Sequence, residues 1–490
     1  MAGPAAAKEE RARAERPAGR ERVFDVAPEE ELLYSMSADG SRKFIRPVLH
    51  RGRYWKIRRA MAWGLFVLFV ALPLVPLGGH PAVHFDLGKR LFHVLGATFH
   101  PTDNVLLLLF GFGVIVTVFF VGSTFGRMWC GYACPQTVYL EFFFRPVELL
   151  LEGAPLAQRK LNAAPLSPRK AGIKTAKWAI WALLALLLAS TFVAYFVSWK
   201  GLFAGLAAAP GEMTGALGTI AFLTALILFD FGWFRDQMCT VACPYGRLQS
   251  VMADPDTILV AYDAKRGDPK VKVKDRVAGV AAGDCIDCRS CVNACPTGTD
   301  IRRGLQSECI GTAQCIDACD EVMRGQKKPI GLIKYTSERE EAGGTRRLVR
   351  PRNLIYLALL TLAWGSLAFL LLTRADALVE IVRGGREPYR VLVTGEVANQ
   401  QRLRVTNQLD VPQRFSVEVL SPGGARFVLA GGPVDVAPEK VVTVNVVTTV
   451  PAEVFRDGQA TARYVVTSDR GFRKEIEFLL LGPWGKGAAK

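Results

Sequence analysis

The stretch Cys285-Ile-Asp-Cys-Arg-Ser-Cys-Val-Asn-Ala-Cys-Pro296 contains four cysteines and a closing proline. Its spacing, Cys-x2-Cys-x2-Cys-x3-Cys-Pro, is the bacterial ferredoxin pattern, in which a tight loop wraps three thiolates around an iron–sulfur cluster. A zinc site usually has two separated cysteine pairs instead. The stretch therefore predicts a ferredoxin-like α+β domain that binds iron–sulfur clusters, and we assign residues 250–350 to it.

The second cysteine group of this domain reads Cys309-x2-Thr312-x2-Cys315-x3-Cys319-Asp320, with threonine at the second ligand position. In two-cluster ferredoxins the fourth cysteine of each motif binds the other cluster. The expected ligands are Cys285, Cys288, Cys291 and Cys319 for cluster one, and Cys295, Cys309 and Cys315 for cluster two. Because threonine is a poor iron ligand, we expect cluster one to be 4Fe-4S. Cluster two is expected to be 3Fe-4S, or 4Fe-4S with one labile, oxygen-ligated iron.

Electron paramagnetic resonance of the anaerobically purified protein tests this expectation. We expect the signature of a three-iron cluster, or of a four-iron cluster with one labile iron, beside that of an ordinary four-iron cluster. Two ordinary all-thiolate four-iron clusters would contradict it.

The remaining four cysteines form two Cys-x3-Cys-Pro motifs, each after a long apolar run. They are Cys130 and Cys134 before Pro135, and Cys239 and Cys243 before Pro244. On a helix, thiols at i and i+4 share one face, and the following proline turns the chain away. Since soft thiolates favour Cu(I), we expect these cysteines to bind copper, as one ion or a pair, or to carry out thiol redox chemistry. The alternatives are a buried structural role or a disulfide, which a reducing cytoplasm disfavours.

Two methionines lie beside these motifs, Met128 and Met238. Their thioethers could add soft donors to a copper site, although ordinary packing is the simpler interpretation.

Half of the 490 residues are hydrophobic, and the net charge is +16. The basic residues crowd the segments that flank apolar runs, which indicates a membrane protein and not a nucleic-acid-binding protein. Five apolar stretches are long enough to span a membrane as helices. They are Ala60–Gly79, Asn104–Phe125, Ala176–Val197, Thr214–Phe234 and Leu354–Thr373.

The positive-inside rule orients these helices. Lysine and arginine concentrate in residues 42–59, 159–177 and 235–353, which we place in the cytoplasm, whereas the loops 80–103 and 198–213 read as external. We therefore expect a multi-domain protein of the bacterial inner membrane with a cytoplasmic N-terminus. Its predicted parts are a tail (1–59), a four-helix membrane domain (60–249), the ferredoxin-like domain, a fifth helix (351–374) and a periplasmic domain (375–490).

The first four predicted helices read as a tandem repeat, because each half consists of helix, external loop, helix and Cys-x3-Cys-Pro. A pseudo-twofold axis along the membrane normal would bring the two motifs together at the cytoplasmic face.

Four histidines fall in or beside the first external loop: His80, His84, His93 and His100. His80 and His84 have the i, i+4 spacing of a helix and could capture a metal ion outside the cell. No fixed motif links the four residues, so interfacial polar side chains are the simpler interpretation.

The C-terminal domain shows short alternating runs typical of strands, separated by turn residues. They are Arg390–Val397, Arg402–Asn407, Arg414–Leu420, Arg426–Leu429, Lys440–Val447, Ala462–Thr467 and Phe472–Leu480. About seven strands in roughly a hundred residues predict an all-β sandwich of immunoglobulin type, for which protein docking is the modest functional inference.

With these motifs, the chain resembles the FixG/RdxA family, also called CcoG, of bacterial cytochrome c oxidase accessory proteins. The resemblance covers nearly the whole length beyond the tail. It rests on Trp129 to Thr137, on Cys239 to Arg247, and on Cys285 to Cys319 with Gly298 to Ile301. It implies a membrane iron–sulfur protein, required for assembly of the cbb-type oxidase, that reduces Cu(II) to Cu(I). Cys130, Cys134, Cys239 and Cys243 carry over as the copper site, and Thr312 departs from a full second cysteine quartet.

The partners that this interpretation implies are copper ions, a cytoplasmic electron donor, a copper chaperone or transporter, and oxidase assembly factors. Two alternatives stay open. One is a subunit similar to quinol dehydrogenases, which share tandem Cys-x3-Cys-Pro helices and a ferredoxin tail. The other is a non-catalytic assembly scaffold whose clusters only sense redox state.

Overall fold

The computed structural model describes residues 44–77, 79–99, 103–209, 211–246, 252–275, 282–304, 306, 308–347, 349–385, 387–409, 411–429, 432–438 and 440–484. His100, Arg247 and most of the N-terminal tail lie outside these residues. The chain divides into two compact units, which are described separately. The cysteine unit comprises residues 1–74 and 107–366, and the sandwich unit comprises residues 75–106 and 367–490.

The helices of the described residues are numbered in chain order. They are α1 Arg53–Ala71, α2 Asn104–Phe125, α3 Met128–Tyr132, α4 Pro135–Tyr139, α5 Arg145–Glu152, α6 Pro155–Ala163, α7 Pro168–Val197, α8 Trp199–Ala208, α9 Thr214–Phe229, α10 Ala264–Gly267, α11 Ser290–Ala294, α12 Gln314–Gly325, α13 Glu338–Glu341 and α14 Pro351–Leu372. Three further segments are π-helical, namely Leu140–Phe144, Asp230–Phe234 and Met238–Ala242.

The strands are numbered in the same way. They are β1 Pro76–Leu77, β2 His80–Pro81, β3 Val83–Asp86, β4 Leu91–Val94, β5 Ala97–Phe99, β6 Leu259–Tyr262, β7 Ile333–Thr336, β8 Ala377–Arg383, β9 Arg390–Val391, β10 Glu396–Asn407, β11 Gln413–Ser421, β12 Arg426–Leu429, β13 Val434–Val436, β14 Val441–Pro451, β15 Gln459–Ser468 and β16 Arg473–Leu481.

Four helices of the described residues are long and apolar enough to cross a membrane: α2, α7, α9 with its extension to Phe234, and α14. Of these, α7 begins at Pro168 and not at Ala176, because the Ser167 hydroxyl accepts a hydrogen bond from the Lys170 amide and proline suits the first helical position.

The first predicted span differs most from the structure. Helix α1 ends at Ala71, before Pro73, and strand β1, which pairs with β2, lies where the sequence predicted helix up to Gly79. Its first turns carry Lys56, Arg58 and Arg59, so its apolar part is short. The membrane crossing predicted for residues 60–79, which would be the fifth, therefore stays a prediction.

The ferredoxin-like part of the cysteine unit is α+β, as expected. Strands β6 and β7 pair antiparallel, helix α12 packs beside β7, and helix α11 packs on α12. The buried core of this part mixes aliphatic side chains such as Ile316 and Leu332 with the cysteines themselves. The predicted boundary at residue 250 falls inside the cysteine unit, since residues on both sides of it belong to one compact body.

The sandwich unit contains the predicted pair of antiparallel sheets. One sheet has the order β12-β14-β10-β8, with β9 also paired to β10, and the other has the order β13-β11-β15-β16. Strands β8 and β13 were missed, and the two runs predicted at 390–397 and 402–407 are the short β9 and the long β10. Without a cysteine, the core relies on apolar packing and on a buried polar triad that joins the two sheets. In this triad Gln401 of one sheet donates to the Tyr464 hydroxyl of the other at 3.0 Å, and Thr448 lies 2.8 Å from that hydroxyl.

Helix α1 is joined to the ferredoxin-like part through its N-terminus. The Asp317 carboxylate on α12 accepts hydrogen bonds from the backbone amides of Tyr54 at 3.1 Å and Trp55 at 2.8 Å. A carboxylate at this place satisfies amides that have no partner within the helix and is favoured by the helix dipole. Gly52 makes room for it, since a Cβ there would lie 2.2 Å from Asp317 Cγ.

Substitution of the capping carboxylate should loosen this junction. We expect Asp317→Ala to lower the free energy of unfolding by about 0.5–2 kcal/mol, the usual cost of losing an N-cap side chain. Glu321→Ala on the same helix is the matched control, because its ion pair with His50 lies at the surface, where the Glu321 side chain is 66% exposed. Thermal unfolding of the detergent-solubilised protein measures both variants, and equal midpoints for the two would contradict the assignment.

Candidate iron–sulfur and thiol sites

Four of the predicted ligands line one cavity of the ferredoxin-like part. They are Cys285, Cys288, Cys291 and Cys319, the set expected for cluster one. Three of these cysteines are buried and Cys288 is exposed, so this cavity lies at the surface of the unit. Arg302 lines it too, anchored by ion pairs to Asp287 and Asp300.

The remaining predicted ligands line a second cavity. Cys295, Cys309 and Cys315 share it with Thr312, as expected for cluster two. Two more hydroxyls belong to the lining, since Thr297 Oγ1 lies 3.3 Å from Cys295 Sγ and 3.0 Å from Thr299 Oγ1. The structure thus brings together three thiols and a set of threonine hydroxyls, with no fourth thiol among the residues that line the cavity.

Thr312 occupies the backbone position of a ligand. Asp287 and Arg289, on either side of Cys288, have positive φ angles of 49° and 56°. Gly311 and Ala313 lie on either side of Thr312 and have similar positive φ angles, 66° and 57°. Thr312 therefore sits in the same loop conformation as Cys288, and the donor set of each cavity fits an iron–sulfur cluster.

The two Cys-x3-Cys-Pro motifs meet in the cysteine unit. The Arg127 side chain donates from Nη2 to the carbonyl oxygen of Cys239 at 3.2 Å and so joins the first motif to the second. Cys130, Cys134 and Cys243 all lie close enough to Cys239 to interact with it electrostatically. The structure therefore places the four predicted thiols in one group, here called the membrane-face thiols.

Neither motif forms one continuous helix, contrary to the i, i+4 prediction. Helix α3 ends at Tyr132, and Cys134 is extended, with φ −62° and ψ 127°, before Pro135 opens α4. In the second motif Cys239 lies in a π-helical turn, and Cys243 is extended at its end. The prolines thus begin new helices, where their missing N–H costs nothing.

A buried ion pair holds the second motif against α5. Arg235, four residues before Cys239, makes a two-bond pair with Glu148 of α5, at 3.1 and 2.6 Å. Burial alone would raise the pKa of Glu148, but the charge and hydrogen bonds of Arg235 outweigh it and leave this pKa lowered. Such planar, bidentate geometry fixes both position and orientation.

Burial also sets the protonation of two of the membrane-face thiols, Cys239 and Cys130. It raises the pKa of Cys239 to about 12, and the neighbouring Cys134 and Cys130 act in the same direction. Burial likewise raises the pKa of Cys130, opposed by Arg127. The bare Cys130 and Cys239 thiols are therefore protonated at neutral pH, and a bound metal ion is what would deprotonate them.

The membrane-face thiols lie directly against the ferredoxin-like part. Gly131, between the two cysteines of the first motif, packs on the backbone of Ile310 and Gly311, where a Cβ would lie 2.7 Å from the Ile310 carbonyl oxygen. The Tyr335 hydroxyl donates to the Gly311 carbonyl at 2.9 Å and lies 3.1 Å from the Tyr132 hydroxyl. Ile310 follows Cys309, so only backbone separates the lining of the second cavity from the first motif.

Among the described residues, no three cysteine, histidine, aspartate or glutamate side chains are arranged to hold a single metal ion. A four-iron cluster spreads its thiolates over separate iron atoms, so its ligands stand further apart than those of one ion. One copper ion at the membrane-face thiols would require their side chains to close around it. Of the nearby methionines, Met238 is exposed and Met128 is half-buried.

The spacing of His80 and His84 is that of a helix, but the structure places His80, His84 and His93 on strands. His80, His84 and His93 sit on β2, β3 and β4, and their rings stack with centroids 4.0 Å apart for His80–His93 and 5.9 Å apart for His84–His93. His80 and His93 line a cavity of about 310 Å³ in the sandwich unit, together with Arg374 and Asp376. The part of the predicted loop that the structure describes therefore belongs to two small sheets, β1-β2 and β3-β4-β5.

Sequence reasoning missed the charged and aromatic residues between the sites, namely Arg58, Arg127 and Tyr335. Only Arg127 left a signal in the sequence. It stands three residues before Cys130 and directly after an apolar span, where a charged side chain is expected to be buried. Arg58, fully buried, donates to the Gly131 carbonyl at 2.7 Å, which no local pattern could indicate.

Cysteine sets of ferredoxin type, together with apolar helices of membrane-spanning length, define a membrane iron–sulfur protein. Comparison with protein families agrees with this class. A 4Fe-4S dicluster domain matches residues 234–338, and a 4Fe-4S binding domain matches residues 104–162. Residues 367–483 match the immunoglobulin-like fold at the C-terminal of FixG.

Whole-chain comparison gives the family. Protein RdxA of Cereibacter sphaeroides is 35% identical over 363 residues, covering 71% of this chain and 75% of that protein. Nitrogen fixation protein FixG of Rhizobium meliloti is 32% identical over 424 residues, covering 77% of this chain and 80% of that protein. Protein RdxB of Cereibacter sphaeroides is 35% identical over 374 residues, with 72% and 76% covered. The chain belongs to the FixG/RdxA family.

The threonine in the second cavity can be tested by restoring the missing thiol. We expect Thr312→Cys to add about one iron atom per chain and to abolish any three-iron signal, because it completes the four thiolates that a four-iron cluster needs. Iron analysis and electron paramagnetic resonance of the oxidised, anaerobic protein measure this.

Thr299→Cys is the matched control, since it adds a thiol to the same cavity outside the ferredoxin frame and should leave the spectrum unchanged. An identical spectrum for the natural protein and Thr312→Cys would show that Thr312 does not occupy a ligand position.

Proposed function

We propose that this protein transfers electrons from its iron–sulfur domain to copper at the membrane-face thiols and reduces Cu(II) to Cu(I) for the assembly of a cbb-type cytochrome c oxidase. The contact between Gly131 and the Ile310–Gly311 backbone carries the proposal. In this contact Ile310, which lines the second cavity, lies against the residue that follows Cys130. Membership in the FixG/RdxA family, with its 4Fe-4S domains, supports the electron-transfer part.

The cysteines of the two cavities would hold the clusters, which supply one-electron transfer when bound. The protein contributes their placement. Exposed Cys288 leaves the first cavity accessible to a donor, whereas the second cavity is walled by buried residues such as Thr312 and Cys315. Electrons would therefore enter at the surface side and leave at the buried side, toward the membrane-face thiols.

Copper is the substrate in this proposal. Each Cu(II) ion accepts one electron and becomes Cu(I), and the thiols that bind it release their protons. Thiolate sulfur suits Cu(I) better than harder donors do, so the product is stabilised at Cys130, Cys134, Cys239 and Cys243. Release to a partner then requires a second soft site, such as that of a copper chaperone or transporter.

The location also belongs to the proposal. Basic residues flank the apolar helices of the cysteine unit, which supports a cytoplasmic position for both cavities and for the electron donor. The sandwich unit would then face the periplasm of a bacterium, where its sheets could contact oxidase assembly factors.

Copper reduction by the purified protein tests the proposal. Anaerobic protein, reduced and then freed of reductant, should convert added Cu(II) to Cu(I), detected with a Cu(I)-specific chelator. Cys130→Ala and Cys243→Ala should each slow the reaction by more than about tenfold, since even losing a partner outside the direct metal ligands has that cost. Both variants should also bind less copper.

Met238→Leu is the control for this test, because the exposed thioether is expected to be dispensable. Iron content, measured for every variant, shows whether the clusters are intact. An unchanged rate and unchanged copper binding in both cysteine variants would exclude the membrane-face thiols as the site.

A second function, quinol oxidation, is favoured by one observation. Asp230 lies within the apolar span that ends at Phe234, and its carboxylate accepts a hydrogen bond from Gln136, two residues after Cys134, at 3.0 Å. Ionisable residues inside a membrane span usually serve function. Quinol oxidation by the purified protein, lost in Asp230→Asn, would support this function.

Unimpaired oxidase assembly by a cluster-free variant would instead support a scaffold.

A further inference from the structure

Arg127 lies at the point where the two Cys-x3-Cys-Pro motifs and the ferredoxin-like part meet. It follows Gly126 at the end of α2, and only 8% of its surface is exposed. Its Nη2 atom donates to the Cys239 carbonyl oxygen at 3.2 Å, and its side chain hydrogen-bonds the Cys130 thiol. One guanidinium therefore contacts the first cysteine of each motif.

The charge of Arg127 reaches both functional sites. It acts electrostatically on Cys130, Cys134 and Cys239 of the membrane-face thiols. It also acts on Cys309, which lines the second cavity. In a buried environment such interactions are screened less than in water, so a single cation can influence both sites.

Two glycines leave the space that Arg127 occupies. A Cβ on Gly246, just after the second motif, would lie 2.6 Å from Arg127 Nη2. A Cβ on Gly311 would lie 3.3 Å from the Arg127 backbone, and Gly311 has a φ of +66°. Backbone from both partner segments thus closes around the arginine.

We propose that Arg127 is a positioning residue that holds the two motifs together and raises the reduction potentials of cluster two and of copper at the membrane-face thiols. A nearby positive charge stabilises whichever state carries the additional electron, and this raises the potential. Electrons that enter at the first cavity would thereby be drawn toward the membrane-face thiols. The copper part of this inference rests on the proposed function, whereas the cluster part does not.

Arg302 provides the matched control. It lines the first cavity and acts electrostatically on Cys291, as Arg127 does on Cys309. Two aspartates, Asp287 and Asp300, hold it in place. Removal of each arginine should therefore affect a different cluster.

The test is a redox titration of the copper-free, anaerobic protein, in which each cluster is followed by its own electron paramagnetic resonance signal. Arg127→Gln should lower the equilibrium constant for reduction of cluster two at least tenfold, which is about 59 mV for one electron. The potential of cluster one should stay unchanged. Arg302→Gln should show the opposite pattern. Arg127→Lys, which keeps the charge, should recover most of the potential of cluster two.

Gly246→Ala keeps the proposal testable if Arg127→Gln fails to assemble. Its Cβ would displace the guanidinium from Cys239 without removing a charge, and cluster two should shift in the same direction as in Arg127→Gln but less. An unchanged potential of cluster two in Arg127→Gln or Gly246→Ala with full iron content, or equal shifts of both clusters, would overturn the inference. Because copper is absent, these results do not depend on whether the membrane-face thiols bind it.

Discussion

The close approach of two backbones, Gly131 on one side and Ile310–Gly311 on the other, is the constraint on which the cysteine unit depends. Any side chain at Gly131 would collide with the Ile310 carbonyl oxygen, so glycine is needed there. The contact removes the side-chain layer that normally separates packed elements. It therefore brings the first motif into direct contact with Ile310, which lines the second cavity.

Three buried arginines and one helix cap stabilise the segments that make this contact. Arg58 donates to the Gly131 carbonyl, Arg127 to the Cys239 carbonyl, and Arg235 to Glu148. Asp317 caps α1 from the helix that also carries Cys315 and Cys319. The guanidinium group suits this role, because it offers several donors in a fixed plane and stays charged when buried. Together these interactions join the ends of apolar helices to a ferredoxin-like fold that is otherwise a separate module.

Some features could be predicted well because they depend on local spacing or local periodicity. The ferredoxin spacing indicated the two ligand sets, and each set lines one cavity in the structure. Alternation of apolar residues located most strands of the sandwich, and β12 matches its predicted bounds, Arg426–Leu429. The missed β13 has three residues, too few to show a period. The histidine spacing was misleading, because i, i+4 residues can lie on neighbouring strands as readily as on a helix when a tight turn intervenes.

The sequence by itself determined which residues are the candidate ligands and spans: eleven cysteines in motifs of recognisable spacing, Thr312 in the place of a twelfth, and apolar runs of membrane-spanning length. Ligand spacing is a local property, so it can be read along the chain. Only the tertiary structure decided that Arg127 lies between the two sites, that Gly131 touches Ile310, and that three histidines stack across two small sheets. These arrangements join residues far apart in the chain, and long-range packing of buried charge and backbone leaves no local period by which to predict it.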